Sequence, residues 1–283
     1  MPQGQKPPEV LDGPYLVVPY GPADDGSRPL SVPGAVYYRC PGILIDHQPY
    51  DPSSPLDPGE PLSLSVLVKN LGALSCLVTA RFYCTSPATA WLPAPVGSST
   101  FYLRAGTDPA AESPPVPDFV PADHFARLGL ATPEHFCFFV EVTTPLDLAP
   151  GSHNAATDRH CGQQNVQIVK AVAGRRLVVP FEVADRGHQR YAVSLGPARH
   201  LEGTLPLPEE ALRIIDLVSG EEAVTALQTT LEAGERRAFQ AVVDVPDTAA
   251  AGDTAHLVIE QTALGPEEGV PVGAIGVTVL VDG

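Results

Sequence analysis

Long helix-forming stretches are missing from this sequence. Its 283 residues carry 32 prolines and 25 glycines, and prolines at that density interrupt helices almost everywhere. Long apolar runs are missing too: none approaches the ~18 consecutive apolar residues of a membrane span. Aromatic residues are sparse, 6% of the chain with a single Trp. That leaves little for a sugar platform of two or three coplanar rings. Positive charge is scarce, with 17 Lys and Arg against 33 Asp and Glu and a formal net charge of −16. A phosphate backbone or an anionic membrane surface would repel such a chain, so nucleic-acid binding is disfavoured. Cys40, Cys76, Cys84, Cys137 and Cys161 make an odd count, whereas an oxidised secreted framework favours an even one. The N-terminal MPQGQKPPEVLDGPY lacks the apolar segment of a secretory leader, and no Asn-x-Ser/Thr acceptor occurs. These absences lead us to expect a cytoplasmic, mostly reduced protein, with the cell surface as the alternative location.

What is present is short, regular and aliphatic. The prolines have no Gly-X-Y period, which excludes collagen; they suit short strands joined by many turns. The chain exceeds what one core usually serves, so two domains are expected. The organising stretch is Glu134 to Val169. It predicts two core strands, His135–Val142 and Asn165–Val169, joined by a long polar loop. Leu62–Asn70 (LSLSVLVKN) alternates strictly, with Leu62, Leu64, Val66 and Val68 on one face, as a half-buried strand does. Leu77–Cys84 alternates again, and Ile43–Asp46 and Thr100–Arg104 are further short strands. Residues 105–133 read as a Pro-rich insertion, with a short helix starting near Ala122 and Gly129 as its stop.

That makes about seven strands in residues 36–172, the count of an immunoglobulin-like sandwich. After Val172-Ala173-Gly174 the pattern restarts. Arg176–Val183, Arg190–Leu195, Leu212–Val218, Ala226–Leu231, Arg237–Val245, His256–Gln261 and Ala274–Val281 give seven more strands in 173–283. The expected fold is therefore all-β: two tandem immunoglobulin-like β-sandwich domains behind an extended, Pro-rich N-terminal arm, residues 1–35.

Two motifs carry a family resemblance. Leu62–Gly72 ends an alternating strand in Lys-Asn-Leu-Gly, and HFCFFVEVTTPLD (135–147) is followed by DRHCGQQNVQIV (158–169). Residues 42–172 resemble bacterial CARDB-type domains, immunoglobulin-like modules in which Asn-x-Gly makes the tight turn between sheets. LEAGERRAFQAVVDVPDTAAAGD (231–253) is similar to generic bacterial immunoglobulin-like modules. The resemblance implies adhesion, scaffolding or spacing, and no catalytic residues.

Candidate chemistry is thin. Asp158-Arg159-His160-Cys161 sets an acid, a base and a nucleophile side by side, but cysteine catalysis needs the His and Cys side chains to meet. Neighbours in an extended segment point to opposite faces. His124, His135, His153 and His160 with Cys137 or Cys161 lack zinc-ligand spacing. Asp24 and Asp25, or Asp51, Asp57 and Glu60, could offer carboxylates to calcium, without the spacing or the Gly of an EF-hand; a turn-forming role suffices for them. Cys84 and Cys137 fall on strands expected to be neighbours, so a disulfide there is open. No cofactor is expected. The arm is the segment we expect to bind a partner, through Tyr15, Val17, Val18 and Tyr20. Exposed apolar residues in a free tail are a liability, and an extended segment can add to a sheet edge of its own chain or of another. The expected function is a non-enzymatic structural or adaptor subunit of a larger bacterial assembly, with protein partners that are either further copies of itself or other members of a larger complex. A carbohydrate- or cell-surface-binding module is the alternative.

Overall fold

The computed structural model describes residues 12–30, 35–51, 56–85, 88–89, 94–129, 136–151, 153–166, 168–184, 191–197, 202–205, 207–208, 211–264 and 271–282. The protein is nearly all β, and its strands form several sheets. In the first body the strands are β1 (Leu16–Val17), β2 (Ile43–Ile45), β3 (Gln48–Pro49), β4 (Leu62–Asn70), β5 (Cys76–Thr85), β6 (Ala88–Thr89), β7 (Ala94–Leu103), β8 (Thr107–Glu112), β9 (Val116–Phe119), β10 (Phe136–Thr143) and β11 (Cys161–Val166). One sheet is built around β4, with β1 and β2 along one edge and β8 and β9 along the other. The second has the order β11-β10-β5-β7.

The expected alternation of β4 holds on its inner face, where Leu62, Leu64, Val66 and Val68 are buried. Ser65 and Lys69 on the other face are buried as well. That second face is covered by the chain at Pro22 and Asp24, whose carbonyls accept from Lys69 Nζ. β10 sits between β5 and β11, with Phe136 to Val142 all buried. Phe82, Phe138, Val78 and Val140 meet the β4 face in one cluster. A short helix, Pro121–Arg127, opens with Pro in its first turn and is followed by Gly129 at φ +71°. Its Phe125 closes the end of the core against Phe136, at 6.2 Å between ring centroids.

The stretch 105–133, expected as an insertion, carries two strands of the first body, β8 and β9. β8 and β9 run along β4 and complete its sheet. Pro109 and Pro117 are tolerated there because an edge strand has donors it need not pair. Their largely exposed side chains hide the alternation that would mark a strand.

The second body contains β12 (Ile168–Val172), β13 (Arg176–Ala184), β14 (Tyr191–Pro197), β15 (Glu202–Gly203), β16 (Leu212–Asp216), β17 (Glu222–Ala223), β18 (Leu227–Leu231), β19 (Arg236–Asp244), β20 (Thr254–Leu264) and β21 (Pro271–Asp282). One sheet runs β12-β21-β20-β14-β18 with β15 beside β20; the other runs β17-β16-β19-β13-β6. Phe181 and Phe239 stack at 5.5 Å inside a separate core with Leu195, Ile214, Leu227 and Ile275.

The expected division at residue 172 needs correcting. β12 pairs with β21 along its whole length, Ile168 opposite Thr278 through Val172 opposite Asp282. Only Gln167 separates it from β11 in the sequence, so the chain passes from a strand of the first body to a strand of the second within that interval. The predicted strand Asn165–Val169 straddles that crossing. Two further features tie the bodies together: β6 pairs with β13, and Val258 and Ala274 pack into the first core.

Candidate functional site

Tyr15, Val17, Val18 and Tyr20, the residues expected to meet a partner, are 6%, 0%, 0% and 4% exposed, inside their own chain. β1 pairs with the end of β4, Leu16 opposite Asn70 and Val17 opposite Lys69. Val18 N–H donates to the Arg159 carbonyl at 2.9 Å. Farther on, the Cys40 amide donates to the Gln163 carbonyl, and the Asn165 amide donates to the Tyr38 carbonyl. The segment therefore lies against one strand of each sheet, β4 and β11, and Tyr20 spans the gap. Its hydroxyl donates to the Tyr37 carbonyl at 2.5 Å and accepts from the Gln163 amide at 3.1 Å.

The seat is built from the strand end Asn70-Leu71-Gly72. Asn70 is fully buried. Its Oδ1 accepts from the amides of Tyr15 and Gly72, both at 3.1 Å. Its Nδ2 donates to the carbonyls of Leu74 at 2.9 Å and Arg104 at 3.1 Å. One side chain thus holds the arm, the turn and the start of the β8 connection. Gly72 is required for a different reason: a Cβ there would stand 2.1 Å from the Gly13 carbonyl oxygen and 2.5 Å from the Tyr15 nitrogen. Beside them Lys69, also buried, donates to the carbonyls of Pro22 and Asp24 and pairs with Asp108 at 3.2 Å.

The Asp-Arg-His-Cys stretch faces the same arm from the other sheet. Asp147 Oδ2 accepts from the Leu16 amide at 2.7 Å. Its Oδ1 accepts from Arg159 Nη2 at 2.5 Å and lies 3.0 Å from His160 Nε2. His160 Nδ1 is 2.8 Å from Asp158 Oδ1, and the Arg159 guanidinium covers the Tyr15 ring at 4.0 Å. A neutral imidazole has one N–H and cannot donate to both carboxylates. Burial pulls the His160 pKa down, but the hydrogen bonds to Asp147 and Asp158 outweigh it and the net shift is upward. Burial pushes both carboxyls up, and hydrogen bonds, led by His160's, reverse this and hold them below the usual range. The arrangement is an imidazolium clamped between two carboxylates, one of which grips the arm backbone.

It does not assemble a nucleophile. Both ring nitrogens of His160 face carboxylates, and the buried Cys161 thiol points to Asp158 Oδ2 at 3.5 Å. The other histidines go elsewhere: His124 packs on Phe119 and Phe125, and His153 on Tyr83, while His135 lies outside the described residues. Asp24 Oδ2 accepts from the Tyr20 amide, and its Oδ1 pairs with Arg28; Asp57 accepts from the Gly59 amide. Among the described residues no group of three or more His, Cys, Asp or Glu is placed to hold a metal ion, and no helix is long and apolar enough to cross a membrane. All five cysteines are free and buried, so Cys84 and Cys137 are not joined. The role of Asp147 had no signal in the sequence, because its partner amide is 131 residues away.

One surface feature adjoins this seat. Leu77 on β5 and Tyr102 on β7 are directly opposite each other, 59% and 65% exposed, and β7 is the last strand of its sheet among the described residues. Leu74, Leu146 and Leu148 are also exposed. The register of β5 on β10, with Thr79 opposite Thr143, carries Leu77 toward the turn at 144–147.

Fold and site together define a nearly all-β protein that seats its own N-terminal segment across two sheets. No family model matches the chain, and no curated protein matches it. Among solved structures it is similar to a family 123 glycoside hydrolase from Clostridium perfringens, at 11% identity and a TM-score of 0.31, over 41% of this chain and 23% of that one. It is similar to the N-terminal domain of PorA at 11% identity and a TM-score of 0.29, over 41% of this chain and 87% of that one. The CupB6 tip adhesin of Pseudomonas aeruginosa is similar at 8% identity and a TM-score of 0.26, over 85% and 98% of the two chains.

Proposed function

We propose that this protein is a non-enzymatic structural or adaptor module of two tandem immunoglobulin-like sandwiches, acting in the cytoplasm within a larger bacterial assembly. Its partner contact is the apolar end of the first body, and the N-terminal arm is part of the scaffold that shapes that end. The observation that carries this reading is the exposed set Leu74, Leu77, Tyr102, Leu146 and Leu148, 46–71% accessible, at one end of one sheet. Contiguous exposed apolar surface marks interaction sites, and a strand that is the last of its sheet, as β7 is among the described residues, can accept a strand from a partner. A carbohydrate platform is less well supported, because Tyr102 is the one aromatic among the described exposed large apolar side chains.

The test replaces Leu77 and Tyr102 together by Ser. Exposed positions should tolerate this within about 0.5 kcal/mol. Light scattering reads self-association, and chemical cross-linking in native lysate reads other partners. Loss of a wild-type complex with an unchanged melting temperature is the expected result. Identical complexes in both proteins would refute the assignment of this surface.

A further inference from the structure

Where the two bodies meet, β11 and the segment around Arg39 face β20 and β21 across a cavity of about 110 Å³. Its wall includes Arg39, Gln164, Asn165, His256, Gly276 and Thr278. Two buried nitrogens on this wall have no hydrogen-bond partner, Nδ2 of Asn165 and Nε2 of His256. Asn165 is only 6% exposed. Its Oδ1 accepts from Gln163 Nε2 at 3.0 Å, which fixes the amide with its NH2 group toward Gly276. The His256 ring stacks on Tyr38 at 6.1 Å, and its Nδ1 lies 3.2 Å from Thr278 Oγ1. Burial, with the Arg39 charge adding to it, brings the His256 pKa down to about 4, so the ring is neutral at pH 7. In the tautomer in which the Thr278 hydroxyl donates to Nδ1, the single ring proton is on Nε2. Gly276 keeps the space open: a Cβ there would meet the Tyr38 ring at 3.1 Å and Asn165 Nδ2 at 3.2 Å.

Asn165 Nδ2 is a donor, His256 Nε2 is a second in that tautomer, Arg39 lines the same wall, and no Asp or Glu does. A buried donor without an acceptor calls for an unrecorded occupant. A carboxylate accepts up to four hydrogen bonds and donates none, and charge-assisted bonds to it are the strong ones. The volume admits an acid of a few heavy atoms. We propose that this cavity is a binding site for a small carboxylate, its oxygens received by Asn165 Nδ2, His256 Nε2 and the Arg39 guanidinium. This site is distinct from the apolar end of the first body and does not depend on that surface having a partner.

The test titrates the full chain at pH 7 and constant ionic strength with acetate and benzoate, and with the uncharged acetamide and benzamide. The His256 ring protons are followed by NMR. Saturable shifts with the acids but not the amides are expected. Arg39→Gln should weaken acid binding at least tenfold in a variant that remains folded by circular dichroism. Gly276→Ala should abolish it by filling the cavity; if that variant does not fold, Arg39→Gln decides alone. Equal responses to acids and amides, wild-type affinity in Arg39→Gln, or no saturable shift up to about 10 mM, well beyond an ordinary millimolar ligand, would each overturn the proposal.

Discussion

Replacing Asn70 by Ala removes four hydrogen bonds to backbone groups at one stroke. The Tyr15 and Gly72 amides lose their acceptor in a buried setting, and the Leu74 and Arg104 carbonyls lose a donor in a partly buried one. A buried polar group left unsatisfied costs about 1–3 kcal/mol. The two carbonyls lie nearer solvent and can be rehydrated, so the two amides dominate, and we expect a loss of roughly 2–6 kcal/mol. Against a typical domain stability of about 5–15 kcal/mol this is large and measurable in a urea titration. Asn70→Asp separates the two halves of the network. A carboxylate still accepts from Tyr15 and Gly72 but faces the two carbonyls with no proton to offer. That variant should be destabilised at neutral pH and recover partly on acidification, when the carboxyl donates to one of them. Amide exchange at Leu16 and Val18 should accelerate in Asn70→Ala more than exchange in β19, because the arm is released first. A loss below about 1 kcal/mol, with unchanged protection of those two amides, would refute the reasoning.

Four further outcomes are expected. The clamp of His160 should make stability depend on pH on both sides. Its raised pKa gives a contribution complete below the unfolded value near 6.5 and lost as pH rises through the folded one. The lowered pKa values of Asp147 and Asp158 give contributions complete above about 4 and lost as pH falls through their folded values. His160→Gln should flatten the upper limb of the urea midpoint against pH, and an unchanged limb would exclude the clamp. Phe138→Ala should cost about 3–5 kcal/mol by chemical denaturation, since Phe138 is 1% exposed between the sheets; near-wild-type stability would contradict its place in the core. Five thiols should titrate with an Ellman-type reagent after denaturation without reductant, and react slowly in the native state, where burial pushes Cys40 up to about 12 and Cys137 higher still. A count of three or one would mean disulfides. Deleting residues 2–30 should lower the melting temperature by exposing β4 and β11; an unchanged melting temperature would show that the arm adds nothing to the fold.

Strands whose inner face alternates in apolar side chains were legible in the sequence. Leu62–Asn70 has the bounds expected of it, and β13 and β19 fall within a residue of their expected ends. Strands held by backbone pairing alone were not. β8 and β9 have largely exposed side chains interrupted by Pro109 and Pro117, so their period is lost. β11 begins four residues before the expected Asn165 because Cys-Gly-Gln-Gln has no strand pattern; it is buried nonetheless, with Gln163 bonded to Asn165 and to the Ala274 carbonyl. The apolar residues of the arm announced that it docks, but not onto which sheet. Its grip comes from Asp147 and Asn70, polar side chains far away in sequence, and a local pattern carries no such information. The Asn-Leu-Gly turn was visible, while the reason for its glycine, a backbone passing over it, is a tertiary fact.

The parallel pairing of β12 with β21 has a mechanical meaning. β12 enters the second body from the first, and the parallel β21 leaves that body toward the C-terminus. Tension between the first body and the C-terminal end would draw these two strands in opposite directions along their common axis. Their hydrogen bonds would then be strained together, as a lap joint is in shear, instead of opening one after another like a zip. For a protein under load between two anchors, this junction would hold its length until the whole five-residue overlap gave way.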